Sequence, residues 1–192
     1  KATYICGMSN DSYKSESICA ISSPPGIGGV SLIRISGPDS FSIVEKIFSK
    51  SLKDISGYQV LYGKIIEKKQ IIDDVIVAVF KNPHSFTGEN TVEINCHGST
   101  FIQQKIIELL INNGARLALP GEFSKRAFLN GKLDLSQTEA IADLINSKSS
   151  AAHEIAIKQL KGGISSELKI LINKLIEFAS LIELELDFSE ED

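Results

Sequence analysis

The stretch 91–114, TVEINCHGSTFIQQKIIELLINNG, changes its hydrophobic period halfway along. Apolar and polar residues alternate through 91–96, which predicts a strand with one buried face. Through 100–112 the apolar residues recur at helical spacing, and Gly114 stands just past the last of them, where a helix stop is expected. The stretch therefore predicts a strand followed directly by a helix.

The residues before this stretch carry further strand and helix signals. A helix opened by Gly37-Pro38-Asp39 is predicted to run to about Phe48, with Pro38 in its first turn. Because strands are joined here by a helix in some places and by a turn in others, an α+β domain is favoured over a doubly wound sheet. The predicted strands are Ile18–Ile21, Val30–Ile35, Tyr58–Ile66 and Asp74–Phe80.

The character of the chain changes after Pro120-Gly121, where helical patterns take over. Ser136–Glu139 matches a capping box, and a helical period persists from there to the end, with Gly162-Gly163 as either a kink or a break. An apolar stripe of this length needs partner helices, which we expect beyond Asp192. We therefore predict a flexible arm at 1–16, an α+β domain at 17–119 and the first part of an incomplete helical bundle at 120–192.

Charge is distributed unevenly along the 192 residues, whose net charge is −4. Residues 1–130 hold 14 Lys and Arg against 12 Asp and Glu, whereas 131–192 hold 6 against 12. The composition therefore gives no global argument for nucleic-acid binding. The second part is acidic and by itself unsuited to a phosphate backbone.

The cysteines and the apolar runs favour a cytoplasmic protein. The three cysteines form no CxxC pair, and no apolar run is long enough to span a bilayer. Because the chain begins at Lys1 and stops after Ser-Glu-Glu-Asp, we expect a fragment of a longer protein.

The loop 24–29, PPGIGG, is the most unusual segment in composition. It is no dinucleotide-binding fingerprint, because the third glycine would fall at Ser31 and the loop leads into a strand. No Gly-Lys-Ser/Thr of a P-loop occurs in the chain either. A purely structural loop, with a rigid Pro-Pro entry and glycines at positive φ, is as good an interpretation of this segment as a functional one.

Two strand patterns place Arg34 and Glu93 on one face away from the core. They could form a binding pair, or merely a surface ion pair worth about 0–1 kcal/mol. Cys96 and His97 are neighbours on a strand and point to opposite faces, so a thiol–imidazole dyad is disfavoured and Cys96 is predicted to be a small core residue. The histidines and cysteines show no zinc-ligand spacing.

A loop and a cluster of basic residues each allow two interpretations. The loop Asn82–Glu89 could cover a ligand or form an interface. Lys125, Arg126 and Lys132 cluster near the domain junction, either as a solvated face or as an anion contact.

Taken together, four long motifs in order resemble the MnmE (TrmE) family of tRNA-modifying GTPases. They are PPGIGGVSLIRISGP at 24–38, SFTGENTVEINCHG at 85–98, PGEFSKRAFLNGKLDLSQTEAIADLI at 120–145 and LELDFSEED at 184–192. The resemblance covers about Ser17 to Asp192. It implies a mixed sheet with helices, similar to the folate-binding fold of aminomethyltransferases, followed by long helices that a GTPase domain interrupts in the family.

The resemblance also implies a function for the parent protein. Members of the family form homodimers through the N-terminal domain and bind 5-formyl- or 5,10-methylene-tetrahydrofolate. With the FAD-containing partner MnmG (GidA) they add a (carboxymethyl)aminomethyl group at C5 of wobble uridine 34 of tRNA, driven by GTP hydrolysis that needs Mg²⁺ and K⁺. No catalytic or metal-binding residue of the GTPase is expected within this chain.

The folate contacts of the family fall on Arg34, Glu93 and Lys132. A carboxylate can accept the paired N–H groups of a pterin, which suits Glu93, and the folate tail carboxylates suit Arg34 or Lys132. Ile27 replaces an arginine that is usual in the family. The competing hypotheses are a dimerisation scaffold without folate use and a stand-alone one-carbon transferase. The transferase would need a catalytic carboxylate and a second domain that the chain does not reveal.

Overall fold

The computed structural model describes residues 16–52, 55 and 57–189. The predicted arm 1–16 lies outside this part except for Glu16. The chain divides into two compact units, Lys1–Lys132 and Leu133–Asp192. The division comes later than the one we expected after Leu119, because the helix that follows Gly121 is tied into the first unit by ion pairs.

The described part of the first unit contains a six-stranded sheet in the order β3-β4-β5-β2-β1-β6. Neighbouring strands are antiparallel except β1 and β6, which are parallel. The antiparallel pairing confirms the predicted α+β class over a doubly wound sheet. The elements are β1 (Ile18–Ile21), β2 (Gly28–Ser36), α1 (Ser40–Glu45), β3 (Gln59–Glu67), β4 (Gln70–Phe80), β5 (Thr91–Gly98), α2 (Thr100–Asn112), β6 (Arg116–Leu117) and α3 (Glu122–Leu129).

Helices α1 and α2 contribute to the hydrophobic core of this unit together with one face of the sheet. The alternating apolar residues of β5, Val92, Ile94 and Cys96, all lie in this core at no more than 2% exposure. Ile106 and Leu110 of α2 are fully buried in it. The period of two in β5 and the helical period in α2 therefore both point apolar side chains into one core.

Helix α1 and strand β4 differ in their bounds from the prediction. Helix α1 ends at Glu45 rather than about Phe48, and Phe48 instead forms an isolated antiparallel bridge to Ile65 of β3. Strand β4 begins at Gln70 rather than Asp74. Lys68 and Lys69 both adopt positive φ, of 46° and 74°, and form a two-residue turn. The pairing of β3 with β4 therefore extends to Glu67 and Gln70, the residues that flank the turn.

The second unit contains α4 (Leu135–Asn146), α5 (Ser150–Leu160) and α6 (Gly163–Ser189). The predicted capping box at Ser136–Glu139 is wrong. The carboxylate of Asp134 accepts from the Gln137 amide at 2.8 Å, and the Gln137 side chain accepts from the Asp134 amide at 2.9 Å. Aspartate is as good a cap as serine, and it stands one residue before the helix.

The predicted helical run is broken at two places. The first break, between α4 and α5, did not show in the apolar period; Ser149 caps α5 by accepting from the Ala152 amide at 3.2 Å. The second is at Gly162, whose φ of 79° ends the preceding helix, so Gly162-Gly163 separates two helices rather than kinking one.

Helix α6 exposes large apolar side chains along much of its length. They include Leu168, Leu171, Leu175, Phe178 and Leu181, each more than half exposed. The apolar stripe expected from the sequence is thus present on α6 and largely exposed. Across the described residues, no helix is both long and apolar enough to cross a membrane.

Candidate functional site

Arg34 and Glu93 are direct cross-strand partners on β2 and β5. Both Arg34 Nε, at 2.8 Å, and Nη2, at 2.7 Å, contact Oε1 of Glu93, so Oε2 takes part in neither contact. The same row of the sheet continues through Ala78 of β4 to Val60 of β3. The prediction that Arg34 and Glu93 share a face away from the core is thereby confirmed.

The pair is more than an open surface contact. The Arg34 and Glu93 side chains are only 21% and 20% exposed. The guanidinium carbon of Arg34 lies 5.2 Å from the ring centroid of Phe86 and 5.6 Å from that of Phe123, distances typical of cation–π contacts. Partial burial strengthens the electrostatic attraction relative to a solvated pair and holds the carboxylate in one orientation.

The loop 81–90 between β4 and β5 brings Phe86 to this pair. The hydroxyl of Ser36, on the same strand as Arg34, donates to Oε2 of Glu89 at 2.7 Å and lies 2.7 Å from the Thr87 hydroxyl. Thr87 is fully buried, so the end of the loop is packed into the sheet rather than solvated. The alternative that this loop covers a site on the sheet is thus consistent with its geometry.

Of the two alternatives for the basic cluster, the solvated face fails for Arg126. Its side chain is 2% exposed, and its guanidinium Nη1 lies 3.1 Å from Glu89 while Nη2 lies 3.3 Å from Glu122. Nη1 also donates to the Glu16 carbonyl at 2.9 Å. A buried cation needs paired acceptors, and the Glu89 carboxylate from a distant segment supplies one beside Glu122 of the same helix; the local sequence does not reveal the contact with Glu89.

Lys132 is exposed and contributes to a cavity of about 270 Å³. Its other lining residues are Tyr58, Phe80, His84, Ser85 and Phe86. Since Phe86 also contacts Arg34, the cavity adjoins the ion pair. Because the Lys132 side chain is exposed beside the cavity, its ammonium can meet an anion that enters there.

The turn that carries Lys132 packs against the covering loop. The Asn130 amide group donates to the Thr87 carbonyl at 2.7 Å. Gly88 has a φ of 77°, and a Cβ there would come within 3.1 Å of Lys132 Cγ and 3.2 Å of Asn130 Cβ. A glycine at this point therefore serves both the backbone conformation and the close approach of the two segments.

The Pro-Gly loop before β2 leads into a strand, as its pattern predicts. Of its glycines, Gly26 adopts a positive φ of 130°, and its carbonyl accepts from the Gln103 side chain at 3.3 Å. Ile27 is 88% exposed. An arginine at this position would therefore project into solvent from this unit.

Cys96 and His97 are separated by the strand, as expected. Cys96 is 2% exposed in the core, and burial raises the pKa of its thiol to about 11. His97 instead places Nδ1 2.7 Å from Oδ1 of the buried Asp73, while its backbone amide donates to Oδ2 at 2.8 Å. Among the described residues, no group of three or more acidic, histidine or cysteine side chains could hold a metal ion.

Cys96 is expected to resist alkylation in the folded chain. A pKa raised from 9.0 to about 11 lowers the thiolate fraction near neutral pH about 100-fold, before burial is considered. Iodoacetamide labelling followed by peptide mass mapping separates Cys96 from the other cysteines. Equal labelling rates in native buffer and in urea would contradict its placement in the core; Cys6 lies outside the described residues.

Two features of the first unit escape sequence reasoning, one away from the site and one within it. The Asp73–His97 contact joins residues on adjacent strands, and no local motif marks it. The aromatic side chains of Tyr58, Phe80 and His84 come together beside Lys132, with the Tyr58 and Phe80 ring centroids 5.8 Å apart. The available signal was the strand periodicity, which places Phe80 on the same sheet face as Glu93 once the register is known.

Comparison with known proteins covers both units. Residues 17–132 match the family model described as the GTP-binding protein TrmE N-terminus, and residues 135–192 match the MnmE helical domain. The protein named tRNA modification GTPase MnmE from Parabacteroides distasonis is 55% identical over 181 residues, which are 91% of this chain and 39% of that protein. Its counterpart from Porphyromonas gingivalis is 52% identical over 186 residues, 94% of this chain and 39% of that protein.

The chain thus spans about 39% of the length of the curated relatives it matches. The two family models together match most of its residues and meet close to the structural division at Lys132. The order of the matches is also the order of the two units. The chain therefore belongs to the TrmE (MnmE) family, whose N-terminal domain and helical-domain sequence it carries.

Proposed function

We propose that the first unit binds a reduced folate, either 5-formyl- or 5,10-methylene-tetrahydrofolate, at Arg34, Glu93 and Lys132. The observation that supports this most directly is a half-buried carboxylate beside an aromatic-lined cavity with an exposed lysine at its rim. Folates combine a flat pterin and aryl group with an anionic tail, and these features match the apolar walls and the cation.

The roles of the two cations differ in this proposal. Arg34 is engaged with Oε1 of Glu93, and its guanidinium holds the carboxylate in place rather than meeting the folate tail. Glu93 then accepts hydrogen bonds from the N–H groups of the pterin through Oε2, the oxygen that neither Arg34 contact uses. Lys132, exposed beside the cavity, takes the tail carboxylate.

Isothermal titration calorimetry with 5-formyltetrahydrofolate tests the proposal on this chain and on the whole protein that contains it. We expect saturable binding by the whole protein. No heat from either would contradict folate binding; heat from the whole protein alone would assign part of the site to residues outside this chain.

We also propose that the first unit pairs with a second copy through the open face of β3 and β4. Val60, Tyr62 and Ile76 share this face and are 70%, 63% and 47% exposed. Exposed apolar side chains in contiguous positions on a sheet face favour a protein interface. Val60 and Glu93 lie in the same row across the sheet, so a second copy on this face would border the folate site.

Replacing Val60 by lysine is expected to weaken this dimer, because the ammonium would be desolvated in an apolar interface. Size-exclusion chromatography with light scattering over a dilution series measures the effect. Leu119→Lys is the matched control, since Leu119 is 60% exposed outside the sheet. Equal dimer fractions for both variants would place the interface elsewhere.

For the protein as a whole we propose a GTP-dependent tRNA modification in the cytoplasm. Relatives bear the name tRNA modification GTPase, and the two described cysteines, Cys19 and Cys96, are free thiols that suit a reducing compartment. In this proposal GTP, Mg²⁺ and K⁺ act outside this chain, and the FAD-containing partner MnmG (GidA) joins in modifying C5 of wobble uridine 34. A pure dimerisation scaffold is the alternative, favoured if the Arg34–Glu93 pair is purely structural.

A further inference from the structure

We infer that Arg126 is a positioning residue that holds two aromatic side chains against Arg34, and thereby orients Glu93 for its ligand. This inference rests on the proposed folate site. Arg126 is too deeply buried to meet a ligand itself, with a side chain that is 2% exposed. Its influence on the site must therefore pass through the groups it contacts.

The first contact fixes the loop between β4 and β5. Arg126 Nη1 lies 3.1 Å from Oε1 and 3.2 Å from Oε2 of Glu89, and the hydroxyl of Ser36 donates to the same carboxylate. Glu89 is three residues from Phe86, whose ring lies 5.2 Å from the Arg34 guanidinium. The loop is thus tied at one end to Arg126 and to the strand that carries Arg34.

The second contact, with Glu122, lies within helix α3 and fixes the Arg126 guanidinium relative to this helix. Arg126 lies one turn after Phe123 on this helix, and Phe123 is the other ring near Arg34, at 5.6 Å. Nη2 of Arg126 contacts Glu122 at 3.3 Å. Although burial alone would raise the pKa of Glu122, the hydrogen bond from Arg116 lowers it below its ordinary range, so Glu122 is an anion here.

The guanidinium of Arg126 thus links helix α3 to the loop 81–90, the two elements whose phenylalanines contact Arg34. A guanidinium can bind carboxylates on two sides at once through its planar set of donors, whereas an ammonium has no such fork. Arg126→Lys therefore keeps the charge and loses the simultaneous hold on Glu89 and Glu122. Phe86 and Phe123 then gain freedom relative to Arg34, and the orientation of the Glu93 carboxylate is less restricted.

The test combines hydrogen exchange without ligand and calorimetry with 5-formyltetrahydrofolate on the whole protein. For Arg126→Lys we expect faster exchange of the amides in 85–89, by about tenfold or more, with unchanged exchange in the β3–β4 pairing. We also expect at least a several-fold weaker folate affinity. Glu89→Gln keeps the size of the side chain and removes its charge, and is expected to act in the same direction if Arg126→Lys folds poorly.

Arg116→Lys is the matched control. Arg116 contacts the same Glu122 at 2.6 Å, yet its partners Glu16, Leu117 and Glu122 lie outside the loop 81–90. If Arg126 has only a general structural role, Arg126→Lys and Arg116→Lys should lower the melting temperature alike and show equal exchange rates in the loop 81–90. That result would overturn the inference. Faster exchange in the loop of Arg126→Lys with an unchanged folate affinity would overturn the inference as well.

Exchange in the free protein depends on no ligand, so the two proposals fail separately. If the wild type binds no folate, the proposed function is contradicted. The part of the inference that concerns the orientation of Glu93 then fails as well. The exchange data still decide whether Arg126 holds the loop.

Discussion

Glu93→Gln is expected to weaken 5-formyltetrahydrofolate binding by about 10- to 100-fold, since a hydrogen bond to a charged group contributes about 1.5–3 kcal/mol. Glutamine has the same shape, but its amide group presents donors where the pterin also presents donors. Calorimetry on the whole protein measures the change. Light scattering on the same sample reports whether the dimer persists.

The control for this variant is Glu108→Gln on helix α2, which packs on the core side of the sheet. Lys105 and Glu108 form another ion pair, at 3.3 Å, but the Glu108 side chain is 56% exposed. This variant removes the same carboxylate charge away from the open sheet face, and folate affinity is expected to stay within twofold. Unchanged affinity in Glu93→Gln with an intact dimer would instead favour the scaffold without folate use.

Gly98→Ala is expected to destabilise the first unit by about 1–3 kcal/mol, a large share of the roughly 5–15 kcal/mol that stabilises a domain. A Cβ at position 98 would lie 2.4 Å from the Gly28 carbonyl oxygen and 2.7 Å from its carbon. Gly28 and Gly98 are paired across β2 and β5, so the clash is with backbone and no side chain can turn away. Urea denaturation followed by circular dichroism measures the loss.

Gly29→Ala provides the control for the clash. Gly29 is the next residue along β2, and a Cβ there meets nothing within 4 Å. Its substitution is expected to change the unfolding free energy by no more than about 0.5 kcal/mol. If both variants unfold at the same urea concentration as the wild type, the two strands are farther apart than the structure places them.

The site divides into parts that periodicity predicts and parts that it does not. Arg34 and Glu93 could be placed on one face because side chains alternate along a strand, whatever the rest of the chain does. That they form a half-buried pair depends on the register of β2 with β5, which local patterns leave open. Lys132 was a candidate through family resemblance, and its neighbourhood with Phe86 became visible only in the structure.

Boundaries were less predictable than elements, for local chemical reasons. The start of α4 was misplaced because Asp134 and Gln137 cap it with the same geometry that Ser136 and Glu139 could have used. The break after Asn146 was missed because the apolar period continues on both sides of it. In each case a few hydrogen bonds decide between two patterns of similar propensity.

By itself the sequence determined the α+β class, the helical second part, the shared face of Arg34 and Glu93, and membership in the family through four ordered motifs. These features depend on residues near one another in the chain or on the order of segments. The tertiary structure alone decided that Arg126 is buried, that two phenylalanines cover Arg34 and that an aromatic cavity adjoins Lys132. The physical reason is that burial and ion pairing depend on residues far apart in sequence, such as Arg126 and Glu89, which only the packed sheet and helices bring within contact distance.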